Sequence, residues 1–74
     1  MMDLIDRLES DYPQGYDYKI LRQAAQVIRG NQMPTDFLMN RLENDYPRGY
    51  DYKILRQAAA KIRELVEPWF HVYT

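Results

Sequence analysis

Apolar residues recur at helical spacing in four segments of the chain, which predicts four α-helices. In the first segment, Leu4, Ile5, Leu8 and Tyr12 share one face. The second segment has a longer apolar stripe, formed by Ile20, Leu21, Ala24, Ala25 and Ile28. The third and fourth segments repeat these patterns, and the last stripe continues to Val66, so we expect the fourth helix to end at about Glu67, before a proline. Four such helices with short loops favour a compact all-α bundle.

Turn and capping residues mark the ends of these helices. Each half of the chain contains Tyr-Pro-x-Gly-Tyr-Asp, in which the proline and the glycine end the preceding helix. Asp17 and Asp51 follow as N-caps of the second and fourth helices, and Thr35 is expected to cap the third. Gly30 and Asn31 are expected to end the second helix.

The two halves of the chain are copies of each other. An offset of 34 aligns residues 4–29 with residues 38–63, and 20 of these 26 pairs are identical. A period of 34 is also that of tetratricopeptide repeats, but the pattern of that family is absent and two units are too few for a solenoid. The sequence therefore predicts a tandem duplication of one helical hairpin. We expect the two hairpins to pack about a pseudo-two-fold axis, with alanine pairs letting the second and fourth helices approach closely.

The repeat defines the organisation of the single domain, residues 1–74. Repeat 1 covers residues 2–30, a linker covers 31–35, repeat 2 covers 36–67 and an aromatic C-terminal tail covers 68–74. A domain of this size has a thin core, and this chain has no cysteine with which to staple it. We expect the tail to close one end of the bundle, to pack across a homodimer interface, or to enter a partner's groove. Association would stabilise the core, so a homo-oligomer is expected, with a dimer favoured.

Charge limits the classes of partner. Ten Lys and Arg side chains stand against eleven Asp and Glu, a net charge of −1, which disfavours nucleic acid as a partner. Within each hairpin the first helix is acidic and the second basic, so the two are expected to attract each other. A helix-turn-helix DNA-binding protein is a remaining alternative, although its acidic first helices would repel phosphates. Neither a signal peptide nor a membrane span is visible, so a cytoplasmic location is expected.

The sequence predicts no enzymatic activity, cofactor or metal. His71 is the only histidine and Ser10 the only serine, so no Ser-His-Asp set can be assembled on rigid elements. There is no cluster with metal-ligand spacing and no glycine-rich phosphate loop.

Tyrosine is the most informative residue type, because six of the seven tyrosines lie in the duplicated turns. Tyr18 and Arg22 are spaced i, i+4, so the guanidinium can lie over the ring. Such a set can bind a protein hot spot or a nucleotide. In the structural alternative, Tyr12 and Tyr16 cover the hairpin core with their hydroxyls in water. The candidate binding residues are Tyr16, Tyr18, Lys19, Arg22, Tyr50, Tyr52, Lys53 and Arg56, with Trp69 and Phe70 of the tail.

One stretch of each repeat carries a resemblance to a known group of proteins. Asp-Leu-Ile-x-Arg-Leu-Glu at residues 3–9, followed by Gly15, Asp17 and Ile-x-x-x-Ala from Ile20, resembles a segment of small accessory proteins of lambda-like phages and prophages. The second copy keeps Arg41, Leu42, Glu43, Gly49, Asp51 and Ile54. Here Pro13 precedes the glycine, whereas that segment usually has glycine before proline. The resemblance implies a phage-encoded inhibitor or regulator acting on a host protein in the host cytoplasm, and it transfers no functional residues.

The function predicted from the sequence is that of a small, non-catalytic interaction protein. The alternative is a protein that binds or sequesters a small nucleotide-type signal. Replacing Arg22 and Arg56 separates the two, since a ligand binder would lose binding with its helicity intact. An inhibitor centred on the tail would instead fail without Trp69 and Phe70. Unfolding upon loss of the arginines would show that they are structural.

Overall fold

The computed structural model describes the backbone of residues 3–71 and the side chains of residues 4–66. Regular structure in that part of the chain is entirely helical, which confirms the all-α prediction with its four helices. These are α1 (Asp3–Ser10), α2 (Tyr18–Ile28), α3 (Asp36–Asn44) and α4 (Tyr52–His71). Helices α2 and α4 pack against each other, and both α1 and α3 pack against this central pair.

The expected end of the fourth helix is wrong. Helix α4 does not stop at Glu67 but continues through Pro68 to His71. A proline removes one helical hydrogen bond, yet its fixed φ of about −65° is itself helical, so a proline near the end of a helix can be passed. The backbone of Trp69 and Phe70 therefore belongs to α4. What their side chains contact lies outside the described residues.

The core consists of the predicted apolar stripes. The buried side chains are Leu8, Ile20, Leu21, Ala24, Ala25, Val27, Leu38, Leu42, Ile54, Leu55, Ala58, Ala59 and Ile62. Both alanine pairs of the central helices are in this set, as expected for helices that approach closely. The copies differ at one core position, because Val27 of α2 is buried whereas its counterpart Lys61 is exposed and lies 3.7 Å from Glu64.

The predicted N-caps are confirmed. The carboxylate of Asp17 accepts a hydrogen bond of 2.9 Å from the amide of Lys19, and Asp51 does the same for Lys53. The hydroxyl of Thr35 accepts from the amide of Leu38 at the start of α3. Each bond satisfies an amide that the first helical turn leaves unpaired, so the starts of α2, α3 and α4 are fixed by residues readable in the sequence.

The predicted end of α2 is confirmed as well. Gly30 has a φ of +88°, in the left-handed region that favours glycine. Its amide donates to the carbonyl of Val27, and the amide of Asn31 donates to the carbonyl of Gln26. This pair of bonds is a Schellman motif, which turns the chain from α2 into the linker.

Ion pairs join the two helices within each hairpin. Arg29 of α2 pairs with Glu9 of α1 through two hydrogen bonds, and Arg63 of α4 pairs with Glu43 of α3. Hydrogen bonding from Arg29 lowers the pKa of Glu9. These pairs follow the acidic-to-basic partition read from the sequence. They are largely solvent-exposed, so they contribute little to the free energy of unfolding.

Candidate interaction surface at the two loops

The loops of the two hairpins meet at Gly15 and Gly49. A Cβ placed on either glycine would lie 3.0 Å from the amide nitrogen of the other and 3.2 Å from its Cα. A side chain at either position would therefore push against backbone. We call the surrounding region the loop end, defined as residues 11–22 and 45–56 together with Arg7 and Arg41.

Two tyrosines reach across from one hairpin to the other. The hydroxyl of Tyr16 donates a 2.5 Å hydrogen bond to Asp45, and the hydroxyl of Tyr50 donates an equally short bond to Asp11. Both rings also pack on the core. The structural alternative considered from the sequence is thus wrong in two details, because the Tyr16 hydroxyl faces a carboxylate instead of water and Tyr12 is mostly exposed.

The two aspartates at the loop end each accept from two donors. Asp11 accepts from Tyr50 and, at 2.8 Å, from Nε of Arg7; Asp45 accepts from Tyr16 and Arg41 in the same manner. Burial opposes the charge of these carboxylates, but the hydrogen bonds outweigh it and the pKa of each lies below its usual value.

The pKa of each tyrosine partner shifts in the opposite direction, to a higher value. Burial and, secondarily, the hydrogen bond to Asp45 raise the pKa of Tyr16, because both favour the neutral phenol. The pKa of Tyr50 is raised for the same reasons, with Asp11 as its partner. At neutral pH each pair is therefore a phenol donating to a charged carboxylate, which is among the stronger hydrogen bonds in proteins.

Arg22 is held by its own hairpin. Its Nη1 donates a 2.9 Å hydrogen bond to the carbonyl of Leu8 in the last turn of α1, an oxygen without a helical partner. Its Cζ lies 4.5 Å from the ring centroid of Tyr12 and 5.1 Å from that of Tyr18. The Nη2 atom is buried and has no hydrogen-bond partner among the described residues. The i, i+4 cation–π contact predicted from the sequence is therefore present, and the same guanidinium caps α1.

Arg56 repeats this arrangement in the second hairpin. It donates to the carbonyls of Leu42 and Asp45 at 2.9 and 2.8 Å. Its Cζ lies 4.5 Å from the Tyr46 ring centroid and 5.3 Å from that of Tyr52. In each hairpin the two tyrosine rings also contact one another, with centroids 4.9 Å apart in the first and 4.8 Å in the second. Each loop thus carries a cluster of two tyrosines and an arginine.

The exposed parts of these clusters are the tyrosine rings. Tyr12 and Tyr46 are 69% and 70% exposed, and Tyr18 and Tyr52 are each 40% exposed. Sequence reasoning did not select Tyr12 and Tyr46 as binding residues, because their spacing continues the apolar face of the first helix of each hairpin. Their position beside proline, where each helix has already ended, is the signal that could have identified them.

Three cations at the loop end are exposed and lack an acidic partner among the described residues. They are Lys19, Lys53 and Arg48. The loop end holds seven cations and four carboxylates, a formal charge of +3. The remainder of the sequence holds three cations and seven carboxylates, a formal charge of −4. The nearly neutral total therefore conceals a separation of charge.

One cleft is lined by none of the exposed tyrosines. It has a volume of about 330 Å³ between α1 and α4, and is lined by Leu4, Asp6, Arg7, Ile54 and Gln57. A second cleft of about 130 Å³ lies where α4 meets the start of α3. None of the binding residues predicted from the sequence lines either cleft. Tyr18, Arg22, Tyr52 and Arg56 belong to the two tyrosine–arginine clusters. The other predicted residues do not: Tyr16 and Tyr50 bond across the hairpins, and Lys19 and Lys53 are exposed.

The described residues contain no group of three His, Cys, Asp or Glu side chains placed to hold a metal ion. Within the same part of the chain, no helix combines the length and apolarity needed to cross a bilayer.

Comparison with known proteins identified no matching family model, curated protein or solved structure. The function is therefore argued from the loop end itself.

Proposed function

We propose that this chain is a non-catalytic interaction protein whose loop end binds a protein partner. The observation that carries the proposal is the exposure of Tyr12 and Tyr46, whose rings are nevertheless held in place by an arginine and a second tyrosine. Tyrosines that are exposed but already ordered supply contact area at a low cost in conformational entropy. Tyrosine and arginine are also the residues enriched at interface hot spots.

We also propose that the two hairpins are related by a pseudo-two-fold axis that passes between Gly15 and Gly49. The reciprocal contacts support this arrangement: Tyr16 bonds to Asp45 while Tyr50 bonds to Asp11. Such reciprocity is the mark of an isologous interface. The axis would make the two tyrosine–arginine clusters equivalent, so a partner could engage both at once.

The charge of the loop end indicates an acidic partner surface. Each of the three exposed cations lies within two residues of an exposed tyrosine in the sequence. The excess of positive charge would steer an anionic surface towards this end of the molecule. If the resemblance to phage accessory proteins reflects kinship, the partner is a host protein; this part remains a prediction.

The two alternatives receive less support. A nucleotide binder would use Arg22 and Arg56 for phosphate, but both are bonded to backbone carbonyls and stacked between tyrosines. A helix-turn-helix DNA-binding protein would contact DNA with Arg22 and Arg29 of α2, but Arg29 is paired with Glu9. Each alternative would first have to break contacts that hold a hairpin together.

The proposal is tested by affinity capture from an extract of the organism that encodes the chain, with quantitative mass spectrometry of the bound proteins. The test variant carries Tyr12→Ser and Tyr46→Ser. The control carries Met33→Ser, which removes an apolar side chain that is 81% exposed but lies in the linker. Circular dichroism verifies that both variants remain helical.

We expect a partner to be captured equally by the unmodified protein and the control. The double variant should capture at least tenfold less of it, as is typical when hot-spot tyrosines are lost. If the double variant captured every bound protein as well as the unmodified chain does, the proposal would be contradicted. Native mass spectrometry of the protein from its own source addresses the alternative, because a co-purifying small molecule would favour ligand binding.

A further inference from the structure

At the loop end, the interface between the two hairpins has the same residues on both sides. Asp11, Gly15 and Tyr16 of the first hairpin face Asp45, Gly49 and Tyr50 of the second. The buried residues of α2 from Ile20 to Ala25 also recur unchanged in α4, from Ile54 to Ala59. Each hairpin therefore carries both halves of the interface.

Both halves include a donor and an acceptor that are not bonded within one hairpin. Tyr16 and Asp11 belong to the first hairpin, yet each bonds to the second. Two copies of the first hairpin could make the same pair of bonds with each other, Tyr16 of one to Asp11 of the other and the reverse. The chemistry of the interface therefore does not distinguish its own second hairpin from a hairpin of another chain.

Because the loop-end contacts are the same for either pairing, it is the linker that favours the pairing within one chain. The segment between the end of α2 and Thr35 is short, and a short tether gives its ends an effective concentration on the order of millimolar. We propose that a second copy of this chain is a partner for this interface, with like hairpins paired between the two copies. At protein concentrations well below a millimolar, pairing within one chain dominates. As the protein concentration approaches that value, the dimer in which like hairpins of two chains pair becomes populated.

A matched pair of variants tests this arrangement. Asp11→Ala with Tyr16→Phe removes both crossing bonds from the closed chain, but leaves Tyr50 and Asp45 able to bond between two second hairpins. Tyr16→Phe with Tyr50→Phe also removes both crossing bonds, and no rearrangement can restore them. The mirror variant, Asp45→Ala with Tyr50→Phe, repeats the test for the first hairpin.

The readout is sedimentation velocity and native mass spectrometry from about 10 μM to about 1 mM, after refolding at each concentration. We expect the first variant and its mirror to dimerise at least tenfold more tightly than the double-phenylalanine control. Equal association of all three would overturn the proposal, since dimers would then form through another surface or not at all.

The unmodified chain provides a second test that does not depend on the folding of any variant. Unlabelled and nitrogen-15-labelled protein are mixed in denaturant and refolded together at about 1 mM. We expect a dimer that contains one labelled and one unlabelled chain. This dimer should dissociate when the protein is diluted, unfolded and refolded. A strictly monomeric product at that concentration would also overturn the proposal.

Discussion

The phenol of Tyr16 donates to the carboxylate of Asp45, 29 residues further along the chain, and thereby joins the loop of the first hairpin to the residue that ends α3 in the second. The bond has a counterpart between Tyr50 and Asp11, which are separated by 39 residues. The two bonds flank the contact between Gly15 and Gly49. Together they attach the hairpins to each other at the end where their loops meet.

Loss of a crossing hydroxyl is expected to destabilise the fold. Tyr16→Phe keeps the ring in the core but leaves Asp45 without one of its donors, so we expect a loss of about 1–2 kcal/mol in the free energy of unfolding. Urea unfolding measures this, and Tyr50→Phe should give a similar value. A double-mutant cycle of Tyr16→Phe with Asp45→Asn should show coupling, whereas Tyr16→Phe with Asp11→Asn should be closer to additive. Additivity in both cycles would contradict a specific crossing bond.

The same bonds predict a response to alkaline pH. The pKa of Tyr16 and Tyr50 is raised in the folded state, so the stabilisation that they provide is fully present below pH 10, the ordinary value for a phenol, and is lost as the pH rises through the folded-state pKa. The unmodified protein should lose stability above about pH 10. The variant with Tyr16→Phe and Tyr50→Phe should lose less over the same range. Parallel stability curves for the two proteins would be evidence against the assignment.

Contact between the glycines predicts a steric cost. Gly15→Ala and Gly49→Ala each place a Cβ about 3.0 Å from backbone, and we expect each to destabilise the protein by about 1–3 kcal/mol. Gln14→Ala is the control, because that exposed residue adjoins Gly15 and gains no such contact. Thermal or urea unfolding separates the cases. A neutral Gly15→Ala would mean that the loops are further apart than described.

The arginines of the two clusters are expected to be structural. Arg22→Met removes a hydrogen bond to the last turn of α1 and the stacking on Tyr12, so a loss of about 1–3 kcal/mol is expected. Arg48→Met serves as the control, since Arg48 is exposed and pairs with no acidic side chain among the described residues; it should change stability little. If Arg22→Met proved as stable as the control, the side chain would be free to bind a ligand, and the nucleotide alternative would gain support.

Local features of this chain could be predicted from sequence, whereas contacts between the repeats could not. The caps at Asp17, Thr35 and Asp51 depend on residues within a few positions, so their side chains identify them. Tyr16–Asp45 depends on how one hairpin meets the other, which no spacing along the chain encodes. The end of α4 was misjudged because a proline weakens a helix locally without determining where it ends.

Among the predicted binding residues, too, local contacts were predictable and contacts between the hairpins were not. The contact of Tyr18 with Arg22 follows from helical spacing and was foreseen. The separation of charge was missed because the total hides it, and it becomes visible only once the loops are placed together. Tyr12 was assigned to the core because its spacing fits the helical face, although the helix ends before reaching it.

The contact between Gly15 and Gly49 also limits how the two copies can diverge. A side chain added at either glycine would press against the backbone of the other, so a substitution in one loop requires the other loop to move. Positions 26 and 27, in the last turn of α2, differ from 60 and 61 in the second copy, and positions 14 and 48 differ beside the glycines, but the glycines themselves are identical. The two halves of the chain touch at identical glycines, so each half limits which side chains the other can carry at this position.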